Sequence, residues 1–345
     1  YIRPLMIGTI CNLCAFGLNH SINSDSNPKI AMNTMLIGAI INIILVPIFI
    51  FVFGLGIQGA AYATVISQFV AACWVIYYFT KSSKSTIKLN KKDMMLNGEI
   101  IKKILMIGLA PFCMQVAGSV VQVIANNALM SYGGDLAIGA MAVITSVCTI
   151  FIMPIFGLNQ GAQPIIGYNY GAKKYDRVKE ATYFSLFITG AYSIVATIII
   201  CIIPEVFIKL FSNDPEVISL GVNAIKMQHY LLIGYSFIFI MTSTFQAMKE
   251  TTKAGILSFA RQGVLLIPLT FILPRVFSNS VPSILKLLSS NPMSPGLYGV
   301  MLAQPLADLI TMILSAIFSI GTFKRLNKLS KESIQETKVK ESIPV

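Results

Sequence analysis

The sequence predicts an all-α integral membrane protein, and three observations carry that prediction. Of its 345 residues, 55% are hydrophobic and 12% charged, where a water-soluble domain carries roughly 25% charged residues. The apolar residues fall into nine continuous runs, each reaching the ~20 residues an α-helix needs to cross the hydrocarbon layer. These runs lack the ten-residue alternation of barrel strands, and a helix in lipid satisfies its own backbone hydrogen bonds.

The runs span about 4–22, 30–53, 58–79, 104–129, 136–157, 182–203, 228–247, 255–277 and 297–322. The first three recur in pattern as the last three. Gly56-Ile57-Gln58-Gly59 opens the third run and Gly296-Leu297-Tyr298-Gly299 the ninth, each after a run ending in a Pro-containing apolar stretch (Val46-Pro47; Ile267-Pro268 and Leu273-Pro274). Matching runs lie six apart, an even number, so both copies face the same way across the membrane. That is a parallel internal repeat, as in several secondary transporters. Three further runs precede the second copy and none precedes the first, so about three more helices are expected before Tyr1, giving twelve spans in two halves.

Residues 1–80 then form the last three helices of a first lobe, 81–103 a cytoplasmic inter-lobe linker, 104–323 a six-helix second lobe and 324–345 a cytoplasmic tail. The linker carries Ile87, Leu89, Met94, Met95 and Leu96 among basic residues, a pattern that fits either a plain connection or a membrane-surface helix. The Ser-rich, charged tail Asn327–Val345 reads as disordered or frayed.

Charge placement excludes a nucleic-acid reading of the net +12. Twenty of the 26 Lys and Arg sit in alternate connections: Lys29, seven from Lys81 to Lys103, four from Lys173 to Lys179, Lys249, Lys253 and six from Lys324 to Lys340. The opposite connections hold only Arg3, Lys209, Arg275 and Lys286. The positive-inside rule therefore places the C-terminus in the cytoplasm. All six Cys lie in apolar runs as small hydrophobes. No cofactor or metal site is expected from Cys11-x-x-Cys14, His20 or His229, which lack companion ligands.

Polar groups inside spans are costly and informative. Asp308 is the carboxylate lying deepest in a run, about twelve residues into the ninth, and the Gly-x-x-Gly register pairs it with Gln68. Two readings fit: a group that takes up and releases protons, or packing glue between helices. Arg261, followed by Gln262, lies about seven residues into the eighth run. It needs a partner such as Asp308 or a wet cavity, or it snorkels to the interface. Third is Gly157-Leu158-Asn159-Gln160-Gly161-Ala162-Gln163-Pro164, continuing to Gly171. Amides before a proline can satisfy the carbonyls it frees, so by itself this reads as a bent helix end.

That stretch also carries a resemblance. It looks like the hallmark of the multidrug and toxic compound extrusion (MATE) family, close to the bacterial drug/cation antiporter branch. Further matches are Asn27–Met32, Asn42–Phe51, Gly59–Gln68, Arg261–Pro268 and Gln304–Asp308, which together cover the chain from Tyr1 to about Arg325 as helices four to twelve of the family. The resemblance implies two lobes with alternating access, in the bacterial cytoplasmic (inner) membrane. It implies export of amphipathic organic cations by single chains, coupled to H⁺ or Na⁺. In relatives, a first-lobe cation site uses an Asp on the first helix, an Asn and an Asp on the fifth and a Thr on the sixth. Asn42 matches the Asn and Thr64 the Thr, while Val46 stands where the Asp often is. Asp308 is the remaining candidate for ion coupling.

Substrate contacts are expected from Gln115, Asn126, Asn159, Gln163, Arg261 and Gln262, with Met114, Met153, Met227, Met241, Tyr230 and Tyr235 as adaptable or flat apolar surfaces. Competing readings are a lipid-linked oligosaccharide flippase of the same fold superfamily and a truncated, transport-incompetent remnant. An intramembrane enzyme would need a Ser/Lys, paired-Asp or His-Glu-x-x-His arrangement, and none occurs at helical spacing.

Overall fold

A computed structural model of the chain describes residues 2–25, 27–82, 85, 97–279 and 294–341. Among these residues the structure is helical, in two compact units that divide between Lys102 and Lys103. Seven helices are long and apolar enough to cross a membrane, or up to eight if one bent pair is a single span. Most of the expected linker lies outside the described residues, including Ile87, Leu89, Met94, Met95 and Leu96.

The first unit holds α1 (Ile2–Ser24), α2 (Pro28–Pro47) and α3 (Gly56–Lys81). α3 packs against both of the others. α2 starts at a proline, whose missing N–H would have had no intrahelical partner there. It runs into a π-helical segment, Ile48–Val52, directly after Pro47. The widened turn is closed by Phe53 N–H donating to the Ile48 carbonyl at 3.0 Å.

The second unit begins with α4 (Gly98–Gly171), two helices joined at Gly134, whose φ of 63° breaks the helical path. α5 (Tyr175–Ile202), the short α6 (Pro204–Lys209), α7 (Pro215–His229) and α8 (Leu232–Ala247) follow. The Asp214 carboxylate caps α7 by accepting from Glu216 N–H at 2.9 Å. α7 and α8 meet at a 47° bend. α9 (Thr251–Phe259) continues through a second π-helical segment, Ala260–Leu266, into α10 (Ile267–Asn279). α11 (Pro295–Glu341) closes the unit.

The repeat read from the sequence has a physical counterpart in each unit. In both, a π-helical segment lies beside a proline in the middle helix of the triplet, Pro47 in one and Pro268 in the other. In both, the second glycine of Gly-x-x-Gly lies against the backbone of that middle helix. A Cβ on Gly59 would stand 2.7 Å from the Phe49 carbonyl oxygen, and one on Gly299 2.5 Å from the carbonyl carbon of Leu273. Only glycine permits that approach.

α4 and α8 end alike, on a lysine in the left-handed conformation: Lys173 at φ 57° and Lys249 at φ 63°. The following N–H groups, of Lys174 and Glu250, reach back to Asn169 and Phe245 carbonyls at 2.9 and 2.8 Å. These are Schellman closures with lysine in the usual glycine position, and its charge complements the helix C-terminus.

The apolar core of the second unit has two centres. One gathers Ile144, Ile155, Ile200, Ile208, Ile225 and Leu297; the other gathers Ile166, Met241, Phe245, Leu257 and Leu326. Buried hydroxyls between helices serve their own backbone. Thr182, Thr189 and Ser193 on α5 each donate to the carbonyl four residues earlier at 2.7–2.8 Å. Large apolar side chains such as Phe51, Ile7 and Phe187 point outward, as lipid-facing surfaces require.

Two expectations are corrected here. α4 runs through Pro164 to Gly171, so the Asn159–Gln163 stretch is helix interior and not a helix end. The tail is helical to Glu341. Contacts with α5 hold the start of that tail: Lys179 donates to Asn327 at 2.6 Å and Ser330 to Asp176 at 2.6 Å. Its lysines and glutamates are good helix formers, and composition alone hid those partners.

Candidate functional site

Among the described residues, each unit holds a cavity with polar lining between apolar helices. The first unit's cavity, about 350 Å³, is lined by α1, α2 and α3. Its polar wall is made of neutral groups: Asn12, Asn19, Thr34, Asn42, Thr64, Ser67 and Gln68. Asn42 Nδ2 donates to Thr64 Oγ1 at 3.3 Å, and Thr64 donates on to the Ala60 carbonyl at 2.9 Å. Two residues matched only by resemblance therefore face one cavity, 22 positions apart in the chain. Asn19 Oδ1 and Gln68 Oε1 are buried there without a hydrogen-bond partner among the described residues. Gln68 and Asp308, paired by the repeat register, sit in different surroundings. Gln68 lines this cavity, whereas Asp308 is held in an ion pair in the second unit.

The second unit's cavity, about 270 Å³, lies between α4, α8, α9 and the π-helical segment after α9. Asn159 and Gln163 stand one helical turn apart on α4, bracketed by Ile155 and Ile166, which belong to the two different core centres. The polar gap is thus held open between two packed apolar clusters. Neither amide makes a hydrogen bond to the protein among the described residues, so they do not service the carbonyls freed by Pro164 as the sequence reading expected. Asn169 does bond a carbonyl one turn beyond, that of Ile165 at 2.8 Å.

Arg261 enters this cavity from the π-helical segment. Its Nε donates to Asp308 Oδ1 on α11 at 2.5 Å, and its guanidinium lies 4.9 Å from the centre of the Tyr235 ring. Tyr235 in turn stacks on Phe239 with centroids 6.0 Å apart, and Phe239 meets Phe156 at 4.2 Å. Gln262 presses its amide against Gly118 of α4, where a Cβ would stand 3.1 Å from Oε1. Gln262 Oε1, Thr242 Oγ1 and Ser243 Oγ on this wall are buried without hydrogen-bond partners among the described residues. An unsatisfied buried polar group costs ~1–3 kcal/mol, so the wall favours a polar occupant.

The remaining candidates lie elsewhere. Gln115 and Asn126 are exposed on α4, the latter accepting from Gln122 at 3.1 Å, and Met153 and Tyr230 are also exposed. Met241 is fully buried in the second core centre and Met227 in the first, which places both in packing positions away from the cavity wall. Met114's side chain lies outside the described residues.

Sequence reasoning missed the first unit's Asp25. Tyr78 donates to its Oδ2 at 2.9 Å, and Asn27 donates to Tyr78 Oη at 3.0 Å. Only the 53-residue separation of Asp25 from Tyr78 hid the link. It also missed Glu250, which accepts from Arg325 at 3.0 Å and from Thr322 at 3.2 Å and pairs with Lys253 at 2.7 Å.

Comparison with known proteins adds three findings. Residues 111–272 match the MatE family model. The chain is 30% identical over 279 residues to multidrug export proteins MepA of Staphylococcus aureus strain MSSA476 and Staphylococcus haemolyticus strain JCSC1435. Those alignments cover 80% of this chain and 60% of the relatives, so the chain spans about 60% of the length of the curated relatives it matches. Among solved structures, MATE in the straight conformation superposes with a TM-score of 0.82 at 22% identity, covering 95% of this chain and 70% of that one. The outward-facing form of a multidrug resistance MATE family transporter superposes at 0.81 and 21%, covering 95% and 69%.

Proposed function

We propose that this chain, which matches the MatE family model over residues 111–272 and is similar to MepA, is a MATE-family secondary active transporter that exports amphipathic organic cations in exchange for H⁺ or Na⁺. The observation that carries the reading is the duplicated plan of the two units. Each has a middle helix loosened by a π-helical segment beside a proline, a glycine-packed neighbour and a cavity with polar lining. Parallel repeats of this kind support alternating access in secondary transporters. A π-helical segment supplies local give in a helix that must otherwise move as a rod.

In this reading the first unit handles the coupling ion. Asn42 and Thr64 offer it oxygens in a cavity whose described wall holds no carboxylate. The second unit contributes to cargo through Asn159, Gln163, Arg261 and Gln262. Asp308 balances Arg261 there and remains a candidate for ion coupling. The protein is expected in the cytoplasmic membrane with its C-terminus inside, where the basic connections lie. The likeness to MepA, whose name describes multidrug export, supports the cargo class. Expression of the protein is expected to lower ethidium accumulation in cells, and a fall that disappears with uncoupler or with sodium removal identifies the ion. Unchanged ethidium accumulation sinks the drug-export reading.

A further inference from the structure

We propose that the cavity of the second unit is a carboxylate-docking site, taking a compact aromatic carboxylate, anion or zwitterion, with its oxygens on the two terminal amines of Arg261. The proposal goes beyond the transport reading above: it takes from it only the idea that cargo enters this cavity, and it assigns the cavity to anionic or zwitterionic molecules, not to organic cations.

A guanidinium carries five N–H donors in a planar fork that fits a carboxylate. In Arg261 the Nε donor is committed to Asp308 Oδ1, and among the described residues neither terminal amine hydrogen-bonds a protein atom. Four donors therefore remain, on a side chain that lines the cavity. The described wall contains amides and hydroxyls (Asn159, Gln163, Gln246, Ser258) and no carboxylate, and Asp308 is not part of it.

A cation entering would find a guanidinium on the described wall and no carboxylate there to pair with. A carboxylate would meet a cation already desolvated and held in place by Asp308, so the cost of burying Arg261 is met before the ligand arrives. The resulting hydrogen bonds would be charge-assisted and bidentate.

Beside the fork stands a flat apolar surface. Tyr235 and Phe239 are nearly parallel, with an interplanar angle of 10°, and Phe156 packs on Phe239 at a tilt of 50°. Tyr235 already offers one face to Arg261, so the fork and the stacked rings share a geometry that a ligand with an aromatic ring joined to a carboxylate matches. The volume of about 270 Å³ lies below the ~300–1,000 Å³ of drug-sized pockets. A bicyclic acid suits it better than a large dye.

The test is titration calorimetry on the purified chain in detergent with three probes of one shape: 2-naphthoate, 2-naphthamide and 2-naphthylmethylammonium. Naphthoate is expected to bind at least tenfold more tightly than either of the others. Arg261→Lys, which keeps the charge but loses the fork, is expected to remove most of that preference. The double variant Arg261→Gln with Asp308→Asn, which leaves no buried charge, is expected to bind naphthoate and naphthamide alike. Equal binding of the three probes, tighter binding of the ammonium, or a preference that survives in Arg261→Lys overturns the proposal; if the double variant does not fold, Arg261→Lys alone decides. Ethidium accumulation separates the two readings. Naphthoate preference without ethidium export sinks the export reading and leaves the docking site, and export without naphthoate preference does the reverse.

Discussion

Arg261 Nε lies 2.5 Å from Asp308 Oδ1, joining the π-helical segment after α9 to α11 across a separation of 47 residues. Both side chains are largely buried, at 17% and 8% exposure. Removing one partner of such a pair strands the other, whereas removing both does not. Asp308→Asn is therefore expected to destabilise the second unit by about 3–5 kcal/mol, and Arg261→Met with Asp308→Leu by far less. Thermal unfolding in detergent checks this. A double variant as unstable as the sum of the two single variants would show the residues to be uncoupled.

Gly59 and Gly299 hold equivalent positions in the two units, each against the backbone of the middle helix. Gly299→Ala and Gly59→Ala are each expected to cost about 1–3 kcal/mol, because backbone must shift to admit a methyl. Gly321→Ala is the control, since a Cβ there meets nothing within 4 Å, and alanine favours the helix. Melting temperatures that fall for Gly321→Ala and not for Gly299→Ala would contradict the close-packing account.

Asn42 and Thr64 share one hydrogen bond of 3.3 Å in a polar cavity. Its net worth in stability is about 0.5–1.5 kcal/mol, so Asn42→Ala is expected to leave the protein folded. If these oxygens hold the coupling ion, the same variant slows ion-driven ethidium efflux at least tenfold. Efflux that is unchanged in Asn42→Ala and in Thr64→Ala would remove the first-unit cavity from the coupling step.

Glu250 joins the turn between α8 and α9 to α11 through Lys253, Thr322 and Arg325. Glu250 is mostly buried while Arg325 is 60% exposed, so the peripheral pair is screened by water and salt and is worth at most about 1 kcal/mol. Glu250→Gln is expected to speed hydrogen exchange in α11 around Thr322–Ser330, with the difference shrinking at high salt. Exchange in that segment that is indifferent to the substitution would show the network to be incidental.

The helical character of the chain was legible because each helix in lipid must satisfy its own backbone, which forces long apolar runs that composition alone reveals. The repeat was legible because the Gly-x-x-Gly pairs and prolines are local signals at matching positions. What they signify, a glycine against the backbone and a loosened helix beside a proline, appeared only in three dimensions. Pro164 misled for the complementary reason: a proline suggests a boundary, yet the packing of Ile155 and Ile166 into separate core centres carries α4 straight past it.

The candidate residues divided along the same line. Sequence alone marked Asp308, Arg261, Asn159 and Gln163 because polar groups in apolar runs are costly wherever they occur. It could offer Asp308 only as one candidate partner for Arg261, and it could not tell that Gln115 and Met153 are exposed and outside the lining of the second unit's cavity or that Met241 is core. Those distinctions depend on helix rotation and on contacts between residues tens of positions apart. Local sequence determines that a segment is helical and apolar; only the packing of several helices decides which side chains share a cavity.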